Sequence, residues 1–230
     1  VLENIQTVRE LERAIKEDLI FRQEIWPITE EKLAREYGLS RTPVREVLLK
    51  LEQEKLIVRK NKRGTVPNML TAGEVLDIYE IRLRLEPYAA SLAAIRIAGD
   101  RDESDDSKYL EFLKTTNNAY EEALLSGDVF LRQKKDLAFH MGITEFSGSL
   151  VLADIMERFH LAAKTFLLAE TDSLALPLPG GRIAPVESHR EIITAIESGN
   201  PETAEEAMKA HIAHVKARFA EKYKKELKKG

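Results

Sequence analysis

Ser40-Arg41-Thr42-Pro43-Val44-Arg45-Glu46 reads as the opening of a helix. The helix begins near Ser40 or Thr42, because Pro43 is tolerated in a first turn, where its missing N–H has no partner to lose. Val44, Val47, Leu48 and Leu51 supply its apolar stripe, while Arg41 and Arg45, four apart, share another face. Upstream, Tyr37-Gly38-Leu39 breaks a preceding helix that runs from Thr29 to about Glu36, with Glu30 and Glu31 at its positive end. Further upstream Val8, Leu11, Ile15 and Leu19 mark one face of an amphipathic helix, and Thr7 with Glu10 forms a capping box. Downstream, Leu56-Ile57-Val58-Arg59 is a short strand, Asn61-Lys62-Arg63-Gly64 a turn, and Thr65-Val66 a returning strand.

Helix, glycine-containing turn, helix and basic hairpin follow one another as in a winged helix–turn–helix. The second helix of such a pair fits the major groove, about 12 Å wide. Arg41 and Arg45 can each give two parallel hydrogen bonds to guanine. Ser40 and Thr42 offer short hydroxyls, next to free backbone N–H groups, to phosphate oxygens. Gly64 permits close approach of the hairpin tip to a sugar–phosphate backbone, with Lys62 and Arg63 beside it. The whole chain, 230 residues with a net charge of −4, argues against nucleic acid only on average. Residues 1–70 are net +2, residues 41–63 net +5, and residues 71–230 net −6. Such a basic segment is either an electrostatic footprint for phosphate or a solvated helix face.

Leu33 through Leu48, then Leu51, then Arg63-Gly64-Thr65-Val66, resembles the DNA-binding domain of the GntR family of transcription regulators. The resemblance implies a homodimer on a palindromic operator, with Arg41 and Arg45 reading bases. It also implies Thr42 on the backbone, Arg35 near phosphate, and the Gly64 tip in the minor groove. One departure is that residues 21–27, Phe-Arg-Gln-Glu-Ile-Trp-Pro, lack the glycine turn the family often has before the second helix.

The remainder reads as six helices. Thr71 and Glu74 make a capping box that opens one to about Ala98. Gly99 to Ser107 is an acidic loop, followed by helices at about 108–125, 129–146 and 150–170. Thr171 to Pro185 is a loop rich in proline and glycine. The last helices run at about 186–197 and 201–227, the second with Asn200 as N-cap and Pro201 at its first position. The expected fold is mainly α: residues 1–68 form the winged domain and residues 69–230 an antiparallel bundle that binds effector and dimerises.

Asp136 and His140, four apart on a helix, can share one divalent ion. His189 and His211 sit on later helices, where spacing alone favours structural roles over metal ligation. The segments 136–140, 189–196 and 207–212, with the helix 79–86, are similar to the all-helical effector domain of the FadR-type subfamily. In its metal-containing members one Asp and three His bind a divalent ion. The resemblance therefore implies a site of Asp136, His140, His189 and His211, holding zinc or nickel, or else manganese. It favours His211 over His214, through the preceding Ala207-Met208, and argues against acyl-CoA sensing. A small carboxylate effector would meet the metal and the cation Arg82; His160 is either pocket-lining or structural. Ser147-Gly148-Ser149 and Gly199-Asn200 depart from the family's usual Asn and Gly-Asp at these places.

The absence of cysteine excludes disulfides, thiolate zinc sites, iron–sulfur clusters and a Cys nucleophile. No run of 18 apolar residues exists, and the N-terminus is not a signal peptide, so no membrane contact and a cytoplasmic location are expected. A metal-dependent hydrolase or lyase with an appended DNA-binding domain is the rival class, but no motif supplies its general base. A third reading makes the metal purely structural.

Overall fold

The computed structural model of the chain describes residues 8–21, 27–60, 64–99, 103–168 and 184–227. Two compact units are present, residues 1–70 with 161–167 and residues 71–160 with 168–230.

The first unit contains α1 (Val8–Phe21), α2 (Glu30–Glu36), α3 (Arg41–Gln53), β1 (Ile57–Lys60) and β2 (Gly64–Pro67). This is a winged helix–turn–helix. The Thr29 hydroxyl caps α2 by accepting from the Lys32 N–H, and Gly38 makes the turn at φ +65. Ser40 is the N-cap of α3 but gives no side-chain cap bond. Val44, Val47, Leu48 and Leu51 are all buried, as their spacing requires. In α1, Leu11 and Ile15 are fully buried, whereas Val8 is 48% exposed. Val8 is the first helical residue and lies before the stretch that packs. Thr7 and the Leu19 side chain lie outside the described residues.

The wing is an antiparallel pair with Val58 opposite Val66 and Lys60 opposite Gly64. Ile28 extends it: its N–H donates to the Thr65 carbonyl at 2.9 Å, and the Thr65 N–H donates to the Ile28 carbonyl at 2.8 Å. A single apolar residue between Pro27 and Thr29 shows no alternation, so the sequence gives no sign of this bridge. Gly64 has φ +86, and a Cβ there would sit 2.5 Å from the Ile28 carbonyl oxygen. The glycine is thus required by the wing's own packing, whatever approaches its tip.

The second unit holds α4 (Ala72–Ala98), α5 (Glu103–Ser126), α6 (Val129–Phe146), α7 (Leu150–Leu168) up to His160, α8 (Ala184–Glu197), α9 (Pro201–Lys222) and α10 (Lys224–Leu227). Thr71 and Glu74 form the full capping box. Helix α5 starts five residues earlier than the acidic composition suggests, because Asp105 and Asp106 favour the positive end of a helix. Helix α8 begins at Ala184, with Pro185 accommodated in its first turn. Most of the expected loop 171–185 lies outside the described residues. Tyr223 interrupts the final helix, its ring turned in against Phe219 at 4.5 Å.

Helix α4 lies along α9. Buried Ala89, Ala90, Ala93 and Ala94 keep its surface low, and Ala204, Met208, Ile212 and Phe219 bury their side chains on α9. Helix α5 packs against α6 and α8, α8 packs against α9, and α4 also meets α6 and α8. Histidines far apart in sequence are thereby brought to one interior point.

Candidate functional site

Arg41 and Arg45 project from the first turns of α3, each with 55% of its side chain exposed. They line a groove of about 510 Å³ with Glu30, Arg59, Lys60 and Gly64. Arg35, Ser40 and Thr42 are exposed as well; Lys62 and Arg63 lie outside the described residues. The arginines are not bare. Arg45 gives its Nε and Nη2 to the Glu30 carboxylate, the latter at 2.8 Å. Arg41 reaches Glu31 at 3.2 Å and Glu30 at 3.4 Å. The hydrogen bond from Arg45 holds the Glu30 carboxyl below its ordinary range. Glu30 and Glu31, legible in the sequence only as residues suited to a helix start, therefore also hold the two arginines. Arg59 pairs with Glu52 and Lys50 with Glu12, so part of the basic segment is internally balanced.

In the second unit, His140 on α6, His189 on α8 and His211 on α9 each place one ring nitrogen within 4.8 Å of the others. All three are 4% exposed or less. Asp136, one turn before His140, puts Oδ1 3.8 Å from His140 Nε2 and 4.0 Å from His189 Nε2. The four expected ligands thus converge, whereas His214 is exposed. The donor set fits a divalent ion. It combines three imidazoles and a carboxylate, and His140 Nε2 is buried without a hydrogen-bond partner. Burial, reinforced by His189 and His140, pushes the His211 imidazole well below its ordinary range. It therefore stays neutral, the form a metal ligand needs.

A second layer surrounds these rings. Glu86 on α4 is 1% exposed. Its carboxylate is paired with Arg82 and lies 2.6 Å from His140 Nδ1 and 3.3 Å from His160 Nε2. Burial alone pushes this carboxyl up, but Arg82, with His140 and His160, holds it well below the usual range. Asn117 Oδ1 is 3.0 Å from His189 Nδ1, and Ser188 Oγ 2.7 Å from His211 Nδ1. Phe139 stacks on the His189 ring at 4.0 Å. Arg82 is therefore not an open cation: it is buried, and its Nε is committed to Glu86. Burial and the Arg82 charge depress His160 to about 4.

Residues 6–66 match the model of the bacterial regulatory proteins of the gntR family, and residues 77–214 match the FCD domain. The chain belongs to the GntR family. As a GntR protein with an FCD domain it is a DNA-binding transcription regulator, not an enzyme. It is 28% identical over 188 residues to a probable D-xylose utilization operon transcriptional repressor of Paenarthrobacter nicotinovorans, covering 81% of this chain and 76% of that one. It is also 28% identical over 206 residues to a putative L-lactate dehydrogenase operon regulatory protein of Escherichia coli (81% and 74% covered). The fold matches E. coli McbR/YncC with a TM-score of 0.75 at 18% identity, covering 95% of this chain and 99% of that one. A putative GntR regulator from Rhodococcus sp. RHA1 gives 0.68 at 19% identity, with 93% and 95% covered. Among the described residues no helix of this regulator is long and apolar enough to cross a membrane.

Glu86, Asn117 and Ser188 were not singled out by sequence reasoning. Glu86 stands in the helix 79–86 that carried part of the resemblance, and its spacing from Arg82 is that of an i,i+4 ion pair, the one available signal. Nothing local marks Asn117 or Ser188.

Proposed function

We propose that this regulator is a repressor that binds a palindromic operator as a homodimer and responds to a small organic acid beside a bound metal ion. Arg41 and Arg45 read bases, while Arg35, Ser40, Thr42, Lys62, Arg63 and Gly64 meet the backbone and minor groove. The work is done where the DNA is, in the cytoplasm. Asp136, His140, His189 and His211 hold zinc or nickel, or else manganese. A divalent ion there supplies a Lewis-acid position that accepts a carboxylate. Because the Arg82 Nε is engaged by Glu86, the effector's charge is met mainly at the metal, with His160 as the remaining buried imidazole beside the cluster. The observation that carries this reading is the convergence of the three histidines and Asp136 inside an FCD domain. The effector acts by preferring one arrangement of the paired DNA-reading units.

The near-complete burial of the three rings favours a second reading, in which the metal only ties helices together. One experiment separates the two. Metal content is measured on purified protein and on Asp136→Ala, and a panel of organic acids is then screened by thermal shift on metal-loaded and chelated protein. A ligand at 100 times its Kd adds about 2.7 kcal/mol of stability. A sensor shows carboxylate stabilisation that chelation removes. A structural metal raises stability without any carboxylate response. Equal metal content in Asp136→Ala and wild type refutes the site.

A further inference from the structure

Each of the three converging histidines has its Nδ1 against a different side chain, and each of those side chains is itself anchored. The Ser188 hydroxyl donates its one proton to the Pro185 carbonyl at 3.0 Å. With its proton on that carbonyl, Ser188 Oγ offers a lone pair to His211 Nδ1 at 2.7 Å. The Asn117 amide donates from Nδ2 to the Val186 carbonyl at 3.2 Å, which fixes which end faces His189. Its Oδ1 is the end at His189 Nδ1, and a carbonyl oxygen only accepts. Glu86 turns Oε1 to the Arg82 guanidinium and Oε2 to His140 Nδ1 at 2.6 Å, and a carboxylate paired with a guanidinium presents acceptors on both oxygens. That contact is short but not aligned as a full hydrogen bond.

Donor–acceptor logic thus gives the same result three times: the proton belongs on Nδ1, and the lone pair on Nε2. The Nε2 atoms of His140 and His189 are the ones that face Asp136 Oδ1. His160 is the contrast. It is equally buried, yet neither of its ring nitrogens makes a hydrogen bond, so no acceptor sets its tautomer.

We infer that Ser188, Asn117 and Glu86 are positioning residues that preset the Nδ1–H tautomers of His211, His189 and His140, so that three Nε2 lone pairs are ready for a divalent ion before it arrives. This rests on the metal reading of the proposed function. It assigns to the first turn of α8 a role of its own, since the Pro185 and Val186 carbonyls anchor two of the three chains. Acceptors of this kind typically contribute 10- to 100-fold in metal affinity.

The test uses the full-length protein and zinc as probe. Long-range ¹H–¹⁵N correlation on metal-free wild type should show Nδ1–H at His140, His189 and His211. Ser188→Ala should weaken zinc binding about 10- to 100-fold in a chelator competition and release His211 from the Nδ1–H form. Ser188→Thr, which keeps the hydroxyl, should restore both. An Nε2–H tautomer at any of the three rings of the wild type overturns the inference, and that measurement needs no variant to fold. Zinc binding by Ser188→Ala as tight as wild type also overturns it. Wild type that takes up neither zinc, nickel nor cobalt overturns the metal reading as well, which is a separate failure.

Discussion

Replacing Arg82 with methionine tests the interior of the helical unit most severely. Arg82 is 4% exposed and Glu86 1%, so the substitution leaves a carboxylate with almost no solvent and without its strongest partner. Breaking a buried pair in this way typically costs about 3–5 kcal/mol. The structure limits the loss independently. Glu86 can escape the uncompensated charge by taking a proton, and neutralising a carboxyl of ordinary value 4.5 at pH 7 costs about 3.4 kcal/mol. His160 gives only partial relief, because burial, the larger cause of its depression to about 4, remains when the Arg82 charge is gone. The expected loss at pH 7 is therefore about 3 kcal/mol. Adding Glu86→Gln should recover more than half, because the amide fills the same space beside His140 Nδ1 without carrying a charge. Urea unfolding of metal-free protein, followed by far-UV circular dichroism, measures this. A loss under 1 kcal/mol for Arg82→Met, or no recovery in the double variant, refutes the account of Arg82 as the counter-charge of Glu86.

Arg41→Ala should cost about 1–3 kcal/mol of specific affinity and relax one base position, measured on a duplex selected by the wild type from a random pool; unchanged specific binding removes Arg41 from the reading face. Glu30→Gln should raise affinity for a scrambled duplex, because DNA no longer competes with a carboxylate for Arg45 and Arg41; an unaltered salt titration would mean that these ion pairs do not persist in solution. Gly64→Ala should destabilise the first unit by about 1–3 kcal/mol with no DNA present, read by hydrogen exchange of the Ile28 and Thr65 N–H groups, since φ +86 and the Ile28 carbonyl both oppose a Cβ. Thr71→Ala should cost about 1 kcal/mol at pH 7 in thermal melts. Hydrogen bonds from the Thr71 backbone and hydroxyl depress Glu74 below 4.5, so its contribution is present above that pH and fades as pH falls through the lower folded value. A Thr71 effect that is the same at pH 7 and pH 3 would contradict that coupling.

The parts of this molecule that were legible in its sequence are those where one local rule suffices. The stripe Val44-Val47-Leu48-Leu51, the capping box Thr71–Glu74 and the Asn200 cap, whose Oδ1 accepts from the Thr203 N–H at 2.9 Å, each depend on residues within two turns of one another. Ile28 escaped because its partner, Thr65, lies across the wing, and a one-residue bridge has no period to detect. The double role of Glu30 escaped for a related reason. A carboxylate in the first turn of a helix is already explained by the helix dipole, and that local explanation conceals its contact with Arg45 on the next helix.

The histidine centre shows the same limit more sharply. Its ligands could be named because Asp136 and His140 are one turn apart and the flanking motifs of His189 and His211 are distinctive. Their anchors could not. Asn117 is 72 residues from His189, and Ser188 is 23 from His211. Ser and Asn are among the commonest surface residues. What distinguishes these two is that their donation to the Pro185 and Val186 carbonyls turns an oxygen, an acceptor, toward each imidazole. A backbone carbonyl carries no sequence signature, because every residue has one. The protons on His189 and His211 are thus decided two contacts away from any residue type that could be read as a motif, and only the folded helices α5, α8 and α9 make that decision visible.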